Sequence, residues 1–592
     1  MKKETFKSRS LLYLLGAVTG AFAGLGAVVF RYLILSASYL FAAIPNTVGV
    51  LGWVVAPVIG GLSVAVITIR LAPEAKQLGI PQVITAYSFR GGKMRTRIPP
   101  VRTIASALSI SSGGSCGTVG PVAQIGAGIG SVTATKLGLT KKDRKTLLVC
   151  GVSSSIAATF NAPLGGTCFG IEVIAGGIAG FSVVPVILST VMATAISNVL
   201  LGNSPFITAP DFTFGNPVEL IFYLAMGLLF GVGSFLWSRG FYYFEDLLKK
   251  LKVSDYILPA VGGLLVGSLG LLTLYLEGFF GYVGVFGPQE PYFPAIMGVG
   301  YVFINTSLLS NVGIAVLLIF AVLKAIATSL TLGSGGSGGI FAPTMFLGAA
   351  LGGVFGLVTS LVFPGIVQQP MAYALVGMAA LFAAIGKAPM TAVLMTVEMT
   401  HDYLMVVPLM AAVSASYLMS SFISEESIYT MKPNRREVHR RRDVYVDALK
   451  AVEVEEVMTQ EPTILRPDMS TDEVLDIVES THHTKYPVID SDGNIVGTVI
   501  TEDLFAMMPS VETRVVSDLM DTDFLRVSNA SEMDSVVHAM MQRQEGHAVV
   551  VDNSEPRKML GFVTKADVLE AYEIAIKRLR EQGMDIEDIK LP

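Results

Sequence analysis

Cysteine and charged residues are both scarce in this chain of 592 residues. Its three cysteines, Cys116, Cys150 and Cys168, offer neither a disulfide framework nor the spacing of a zinc site. We interpret each as a small buried apolar residue. Charged residues make up only 15% of the chain, hydrophobic residues make up 52%, and the mean hydropathy is +0.60. This balance is typical of a membrane protein.

The few charges are distributed unevenly. The first 430 residues hold 15 acids and 23 bases, whereas residues 431–592 hold 32 acids and 19 bases. An apolar part therefore precedes a soluble, acidic tail. The net acidity argues against nucleic acid as a partner, because phosphate binding needs basic surface. No nucleophile stands beside a base, and no phosphate loop ends in Lys followed by Ser or Thr, so we predict neither an enzyme nor a metal site.

The apolar part reads as a series of membrane segments. The run 11–43 is too long for a signal peptide and predicts a long, tilted helix whose basic N-terminal end is cytoplasmic. The later apolar segments lie at about 48–70, 100–115, 121–138, 143–160, 162–178, 182–202, 217–245, 256–278, 294–306, 311–331, 341–362, 371–385, 388–400 and 404–422. Several are shorter than the roughly 20 residues of a straight span, and Gly or Pro interrupts many of them. Such broken segments indicate a binding site between internal repeats.

Two halves of the apolar part share landmarks. The tripeptide NAP at 161–163 leads to Glu172, and KAP at 387–389 leads to Glu398 over the same interval. Each tripeptide is also preceded by a glycine-rich loop that ends in proline. We therefore predict two related halves.

A glycine-rich stretch, GGSCGTVGPVAQIG at 113–126, opens into a helix at Gly120-Pro121. Glycine permits close backbone approach, and the free N–H groups of the first helical turn carry partial positive charge, so this stretch is a seat for an anion. The second half has a matching loop, GSGGIFAP at 336–343, and Pro343 follows Pro121 at nearly the interval that separates the NAP and KAP tripeptides. A broken helix in apolar surroundings must line a cavity or be buried in protein. The pattern predicts an anion pathway.

The tail contains a repeat of its own. The interval from Gly497 to Gly561 equals that from Asp503 to Asp567, and each unit reads strand–helix–strand–strand–helix. The period suits a stacked pair of small units. We predict a membrane domain at 1–431, a linker at 432–452, a first tail domain at 453–510, and a second at 511–592 that includes a C-terminal helix.

These motifs together resemble the CLC family of chloride channels and chloride/proton exchangers, followed by a pair of CBS domains. QLGIP at 77–81, GTVGP at 117–121, GGIFAP at 338–343 and Ile428-Tyr429 correspond to the family's anion-binding segments. The resemblance implies an all-α polytopic membrane protein with two inverted repeats of broken helices, and a cytoplasmic α/β CBS pair. It also implies a homodimer in the lipid bilayer of the cell (inner) membrane, with one chloride pore per subunit. The implied chloride-binding and pore residues are Leu78, Gly79, Ile80, Pro81, Thr118, Val119, Gly120, Pro121, Gly339, Ile340, Phe341 and Tyr429.

The sequence departs from the family at its acids. The family's gating glutamate falls on Val119, and its inner proton-handling glutamate falls on Val173, beside the retained Glu172. Valine can neither compete with chloride nor carry a proton, so we expect a passive, uncoupled anion channel or uniporter. The alternatives are a chloride/proton antiporter that uses another acid, and a non-conducting membrane sensor whose output is the CBS pair. Leu78 also replaces a serine of the family, and Thr118 replaces a basic residue. The loss of that basic residue reduces the attraction for anions at the outer end of the seat.

Some of these residues have a simpler structural interpretation. Glu172 and Glu398 are either relocated proton carriers or carboxylates bonded to backbone amides at a helix end, and we favour the second. Tyr429 is either a pore hydroxyl, as the resemblance implies, or an aromatic anchor at the membrane interface. His401-Asp402 is either a pH sensor or a solvated turn.

The tail resembles adenosine-binding CBS pairs. GTVITED supplies Thr501 and Asp503, and GFVTKAD supplies Thr564 and Asp567. A carboxylate at that place can accept both ribose hydroxyls, as acids do in other nucleotide folds. The resemblance implies ATP, ADP or AMP between the repeats, with the base near two further residues, namely His483 and Tyr486. The second repeat has the family's spacing and is the better ribose site; the alternative is a pair that serves only as a dimer scaffold.

Overall fold

The computed structural model describes residues 2–72, 79–177, 182–210, 212, 216–251, 253–282, 291–310, 312–431, 449, 452–501, 504 and 515–581. Two of the predicted site residues, Leu78 and Asp503, lie outside the described residues, as does nearly all of the predicted linker. The chain divides into two compact units, Met1–Pro433 and Asn434–Pro592. Each unit is described by itself below.

The described residues of the first unit form sixteen helices. Those of its first half are α1 (Lys2–Val48), α2 (Gly52–Leu71), α3 (Gly79–Phe89), α4 (Ile98–Ser111), α5 (Val119–Lys136), α6 (Lys141–Phe160), α7 (Pro163–Phe169) and α8 (Val183–Leu201). Those of its second half are α9 (Glu219–Lys250), α10 (Leu258–Phe280), α11 (Tyr301–Leu309), α12 (Ile314–Gly333), α13 (Phe341–Val362), α14 (Ala372–Gly386), α15 (Pro389–Thr400) and α16 (Val406–Ile423). A π-helical turn, Gly170–Ala175, continues α7.

Within the described residues, eight helices are long and apolar enough to cross a membrane, and two further apolar helices are shorter. The fold class is therefore the predicted one: a polytopic helical domain followed by a small α/β tail. The predicted segment 294–306 differs from its helix, because α11 begins only at Tyr301. Gly298 and Gly300 have positive φ angles of 56° and 92°, which a continuous helix does not allow.

The two halves repeat each other at the level of single residues. Asn161 ends α6 and Lys387 ends α14, and both adopt the left-handed conformation, with φ angles of 53° and 56°. Each is followed by an alanine and then by a proline at the first helical position, where the missing N–H costs nothing. The predicted landmarks NAP and KAP are thus the same turn, built twice.

The two glycine-rich loops repeat in the same way. Gly113 and Gly335, which stand at equivalent places in the two loops, have φ angles of 102° and 106°. Gly114 and Gly336 each donate a backbone hydrogen bond of 2.9 Å, to the carbonyls of Ser109 and Thr331. The loops after α4 and after α12 therefore leave their helices along the same path. Their local geometry requires glycine, because side chains rarely adopt these positive φ values.

The second unit contains two small sheets. The described strands are β1 (Lys485–Ile489), β2 (Ile495–Ile500), β3 (Arg526–Ser528), β4 (His547–Val551) and β5 (Met559–Thr564). β1 pairs antiparallel with β2; β4 lies between β3, which is parallel to it, and β5, which is antiparallel. Three helices accompany the strands: α17 (Thr471–Thr481), α18 (Met533–Arg543) and α19 (Lys565–Glu581).

Each repeat of the tail has its own apolar core. Val488 and Val499 lie in the first core, and Val550 and Val563 occupy the corresponding places in the second. A single parallel bridge between Leu465 and Val488 takes the place in the first repeat that β3 has in the second. The order β3–α18–β4–β5–α19 is the predicted strand–helix–strand–strand–helix unit.

Candidate anion site

The two glycine-rich loops are joined by their backbones. The N–H of Gly117 donates to the carbonyl of Gly339 over 2.7 Å, and the N–H of Gly339 donates to the carbonyl of Gly117 over 2.8 Å. This antiparallel bridge lies just before the first turns of α5 and α13. The bridge therefore brings the N-termini of two helices, one from each half, to one place.

The start of α3 meets the same place. A methyl group at Gly79 would lie 2.4 Å from the carbonyl oxygen of Gly120, and one at Gly120 would lie 3.2 Å from that of Gly338. Contacts this short leave room for hydrogen atoms only. We call residues 79–81, 117–121 and 338–341 the anion seat. The structure thus brings together the three segments that the sequence predicted, except for Leu78.

The anion seat has apolar side chains and free backbone donors. Val119 is fully buried, and Ile80, Ile340 and Phe341 are at most 2% exposed. Neither α5 nor α13 has a side-chain hydrogen bond at its N-cap, where Thr118 and Ile340 stand. The first N–H groups of these helices therefore remain available to a ligand, and the helix dipoles favour an anion there.

Two basic side chains that the sequence analysis missed lie close to the seat. The Arg102 guanidinium donates to the carbonyl of Gly338 over 3.3 Å, and Lys324 donates to the carbonyls of Ile296 and Gly298 over 3.0 and 2.9 Å. Both side chains are essentially fully buried. Helix dipoles are therefore not the only source of positive potential around the seat. A signal existed in the sequence, because the interval from Arg102 to Lys324 equals the interval between the two loop prolines.

The aromatic ring of Phe341 packs against the rings of two other phenylalanines. Its ring centroid lies 4.5 Å from that of Phe382 in an edge-on contact, and 5.5 Å from that of Phe160. Phe341 stands at the start of α13 and belongs to the seat, as Val119 does at the start of α5. Neither side chain can accept or release a proton.

The two conspicuous glutamates lie at helix ends. The Glu172 carboxylate accepts from the N–H groups of Met390 and Thr391, over 3.0 and 2.7 Å, and from the Thr391 hydroxyl. The Glu398 carboxylate accepts from the N–H groups of Leu164 and Gly165, over 3.0 and 2.7 Å. Both carboxylates thus satisfy backbone amides of a helix from the other half, which is the structural role that we favoured for them.

Val173 lies in the π-helical turn after α7. Its side chain is 9% exposed, and the turn packs beside α3, the helix that begins at Gly79. Val173, which the sequence analysis predicts at the family's inner proton site, is therefore close to the helix of the seat.

Tyr429 is buried in the core of the first unit. The N–H of Ile428 donates to the carbonyl of Ile385 over 3.1 Å, and the Tyr242 hydroxyl donates to the carbonyl of Ile428 over 2.7 Å. These bonds fix the Tyr429 backbone beside α14 and α9. A residue that is only 2% exposed is not an interfacial anchor.

His401, in contrast, is exposed in a left-handed turn, and Asp402 Oδ1 accepts from the N–H of Leu404 over 3.0 Å.

In the tail, Asp567 caps its own helix. Its Oδ2 atom accepts from the N–H of Thr564 over 2.6 Å and from the Thr564 hydroxyl over 2.9 Å. In the first repeat, Thr501, one place after the residue that corresponds to Thr564, donates its hydroxyl to the carbonyl of Thr484 over 3.2 Å. The Asp567 carboxylate is therefore positioned at the end of β5 with one oxygen already bonded.

The starts of β1 and β4 meet between the two repeats. Thr484 Oγ1 lies 3.4 Å from His547 Nε2, and Lys485 Nζ lies 3.2 Å from Glu545 Oε2. Burial lowers the pKa of His547, and the charges of Lys485 and Lys565 lower it further. The sequence analysis missed this cluster, because its members come from different repeats.

The two residues predicted near a base are placed differently. His483 is exposed, whereas Tyr486 is fully buried and its hydroxyl is bonded to Thr481 over 2.6 Å. The N–H of His483 also donates to the Tyr486 hydroxyl over 3.2 Å. Only His483 therefore offers a side chain to a ligand without a rearrangement of the core.

Models of known protein families match both parts of the chain. The model described as "Voltage gated chloride channel" matches residues 60–421, which is more than half of the chain. The chain belongs to the voltage-gated chloride channel family. The CBS domain model matches twice in the tail of this CLC protein, at residues 454–510 and 516–574.

Relatives of this CLC protein include exchangers and channels by name. An "H(+)/Cl(-) exchange transporter ClcA" of Vibrio cholerae serotype O1 is 32% identical over 372 residues, which are 62% of this chain and 75% of the relative. "Chloride channel protein CLC-f" of Arabidopsis thaliana is 34% identical over 342 residues, 55% of this chain and 42% of the relative. Both relatives are named for chloride, one as an exchanger and one as a channel.

Solved structures agree in fold. A "slow cyanobacterial Cl-/H+ antiporter" superposes with a TM-score of 0.63 at 25% identity, covering 72% of this chain and 97% of its own. A "eukaryotic CLC transporter" gives a TM-score of 0.58 at 20% identity, covering 94% of this chain and 97% of its own.

Within the described residues, no group of three or more His, Cys, Asp or Glu side chains could hold a metal ion.

Proposed function

We propose that this CLC protein conducts chloride passively, as a channel or uniporter that is not coupled to protons. The single observation that carries the proposal is Val119, a fully buried apolar side chain at the start of α5, directly at the anion seat. In an exchanger, a carboxylate at this point competes with chloride and carries the proton. A valine leaves the seat to backbone donors, which hold an anion without the depth of an ion pair.

The nearest acids are already engaged. Glu172 and Glu398 use both of their carboxylate oxygens to accept backbone N–H groups. Apart from Glu172, the only acid in the sequence between residues 79 and 177 is Asp143, whose carboxylate accepts the Thr140 hydroxyl at the start of α6. Proton transfer through a membrane needs a relay of titratable groups, and this part of the sequence supplies no further carboxylate for one.

The test is flux from proteoliposomes with chloride and pH recorded together. We expect the reversal potential to follow the chloride gradient alone, with no proton movement driven by chloride. Val119→Glu should slow the flux at neutral pH and make it pH-dependent, whereas Val119→Gln, which has the shape of Glu without the charge, should not confer pH dependence. Chloride-driven proton uptake by the wild-type protein would overturn the proposal.

A coupled antiporter is the second candidate, and the names of the relatives favour it. The ClcA relative is an exchanger by name, and the cyanobacterial protein with the same fold is an antiporter by name. Such a mechanism would need an acid at a place other than positions 119 and 173. The flux experiment separates the two candidates, because an antiporter has a reversal potential that depends on both gradients.

Regulation by adenine nucleotide is a further part of the proposal. The CBS pair brings Asp567, His547 and the exposed His483 to the neighbourhood of the strand ends where the repeats meet. A nucleotide can shift a gate only by binding one state more tightly than the other.

We also propose that the protein is a homodimer, that it lies in the cell (inner) membrane with cytoplasmic CBS domains, and that its domains have the limits given above.

A further inference from the structure

A cavity of about 370 Å³ lies beside the first turn of α5. Residues of α1, α5, α6 and α11 line it, and most of these residues are apolar. Among the residues that line the cavity in the described structure, Arg31 is the only one with a formal charge, and Thr118, Thr159 and Tyr301 supply hydroxyls. The cavity therefore combines one positive charge with several hydrogen-bond donors and no acid.

Packing fixes the part of α1 that carries Arg31. A methyl group at Gly26 would lie 2.9 Å from the Ile125 side chain of α5, so the two helices are in close contact just before Arg31. Just after it, the Ser111 hydroxyl donates to the carbonyl of Ile34 over 2.9 Å. The exposed Arg31 side chain is thus held next to the start of α5 by a rigid helix.

Two of the hydroxyls in the cavity are unusual. Thr118 Oγ1 and the Tyr301 hydroxyl oxygen are both buried and face each other, and among the described residues neither has a hydrogen bond of good geometry to any other group. Buried polar groups are nearly always bonded, and those that are not indicate a water molecule or an ion. An edge-on contact with Phe206, at 4.8 Å between ring centroids, holds the Tyr301 ring in place. Both hydroxyls can donate to an anion.

The cavity lies next to the anion seat, at the start of α5. Thr118 belongs to both the cavity and the seat, and α5 runs from there for 18 residues to Lys136, shortly before the basic start of α6 at Lys141. At about 1.5 Å per residue, this helix is about 27 Å long. The cavity therefore lies at the opposite end of α5 from the basic start of α6.

We propose that the cavity is an entry site for small monovalent anions, in which Arg31 and the hydroxyls of Thr118 and Tyr301 bind the ion before it reaches the anion seat. Arg31 on α1 then supplies the positive charge that position 118 in the loop lacks. This inference rests on the proposed anion conduction. A cleft lined by one sign of charge concentrates the opposite ion.

Chloride dependence of the flux tests the role of Arg31. Flux is measured against chloride concentration at constant ionic strength, with gluconate as the replacement anion. Arg31→Gln should raise the half-saturating chloride concentration by roughly threefold to tenfold and leave the maximal flux nearly unchanged. Arg31→Lys should stay near the wild type, and Thr118→Lys should restore the affinity of Arg31→Gln.

The matched control is Arg70→Gln, because Arg70 is an exposed arginine on α2 that does not line the cavity. Its chloride dependence should equal that of the wild type. If the curves of Arg31→Gln and the wild type coincide, or if Arg70→Gln shifts the curve as much as Arg31→Gln does, the entry site is wrong.

A second measurement does not depend on conduction. Crystals soaked in bromide should show an anomalous peak beside Arg31, and Arg31→Gln should lose this peak but keep those at the seat. A protein that binds bromide beside Arg31 but moves no chloride would support the site and overturn the proposed function. Chloride flux without bromide in the cavity would support the function and overturn the site.

Discussion

Glu172 and Glu398 cap each other's helices. Glu172, just after α7, accepts hydrogen bonds from the first turn of α15, and Glu398, near the end of α15, accepts hydrogen bonds from the first turn of α7. The exchange places a negative charge at each helix N-terminus, where the free N–H groups and the dipole favour it. It also ties the two halves of the membrane domain together away from the seat.

Loss of either carboxylate should affect stability and leave ion coupling unchanged. Because a hydrogen bond to a charged group contributes about 1.5–3 kcal/mol, we expect Glu172→Gln and Glu398→Gln each to lower the free energy of unfolding by an amount of that order. Thermal unfolding in detergent measures this loss. Glu425→Gln, at an exposed glutamate, is the control and should have little effect. A change in proton flux without a change in stability would identify a proton carrier instead.

The close approach of Gly79 to Gly120 should make the seat intolerant of a methyl group. Gly79→Ala would bring carbon within 2.4 Å of the Gly120 carbonyl oxygen and should abolish chloride flux, whereas Gly120→Ala, with a nearest contact of 3.2 Å, should reduce it less. Gly233→Ala is the control, because nothing lies within 4 Å of that position in α9. Equal flux in all three variants would show that the three segments do not form the conduit.

The two buried bases should contribute to anion affinity. Arg102→Gln should weaken chloride binding roughly tenfold, equivalent to about 1.4 kcal/mol, because it removes a charge close to the Gly338 carbonyl. Arg102→Lys keeps the charge and should keep most of the affinity. Calorimetric titration with chloride measures both variants. Unchanged binding in Arg102→Gln would mean that the helix dipoles are sufficient.

Capping and ribose binding can be separated at Asp567. Asp567 is the third residue of α19 and accepts the N–H of Thr564, and the amide oxygen of Asn can accept the same bond, so Asp567→Asn should keep most of the stability of the tail, whereas Asp567→Ala should lose about 1 kcal/mol. If the carboxylate binds ribose, both variants should lose ATP binding in a titration of the full chain. Normal ATP binding by Asp567→Asn would remove this residue from the nucleotide site.

The tail should lose stability in mild acid because of His547. Its pKa is lowered in the folded state, so below its ordinary value of about 6.5 the unfolded chain binds a proton that the folded chain does not. Stability is therefore complete above that value and falls as the pH drops toward the lower, folded pKa. Faster amide exchange of residues 547–551 at low pH, after correction for the intrinsic rate, measures the effect. His547→Gln should flatten this dependence, whereas His538→Gln, at an exposed histidine, should not.

The repeats were predictable because they leave equal spacings in the sequence. The prolines of the two loops and the NAP and KAP turns indicated the two halves. The interval between the two loop prolines would also have found Arg102 and Lys324. α11 was predicted too early, since hydropathy does not register the positive φ angles of Gly298 and Gly300.

Other parts of the site could not be found in the sequence. The contact of Gly79 with Gly120 and the position of Arg31 beside Thr118 depend on how distant helices pack. Spacing and hydropathy report only on neighbours along the chain. The burial of Tyr486 was missed for a similar reason, because its hydroxyl is satisfied by Thr481 at the end of the preceding helix.

The bridge between Gly117 and Gly339 has a consequence for the way ions move. A carrier that rocks one repeat against the other would have to break this bridge on every cycle and leave two amides and two carbonyls without partners in an apolar interior. Turning a single ring or isopropyl group, at Phe341 or Val119, breaks no backbone bond. Such small rotations can be fast and frequent, which is what the proposed passive conduction of chloride requires.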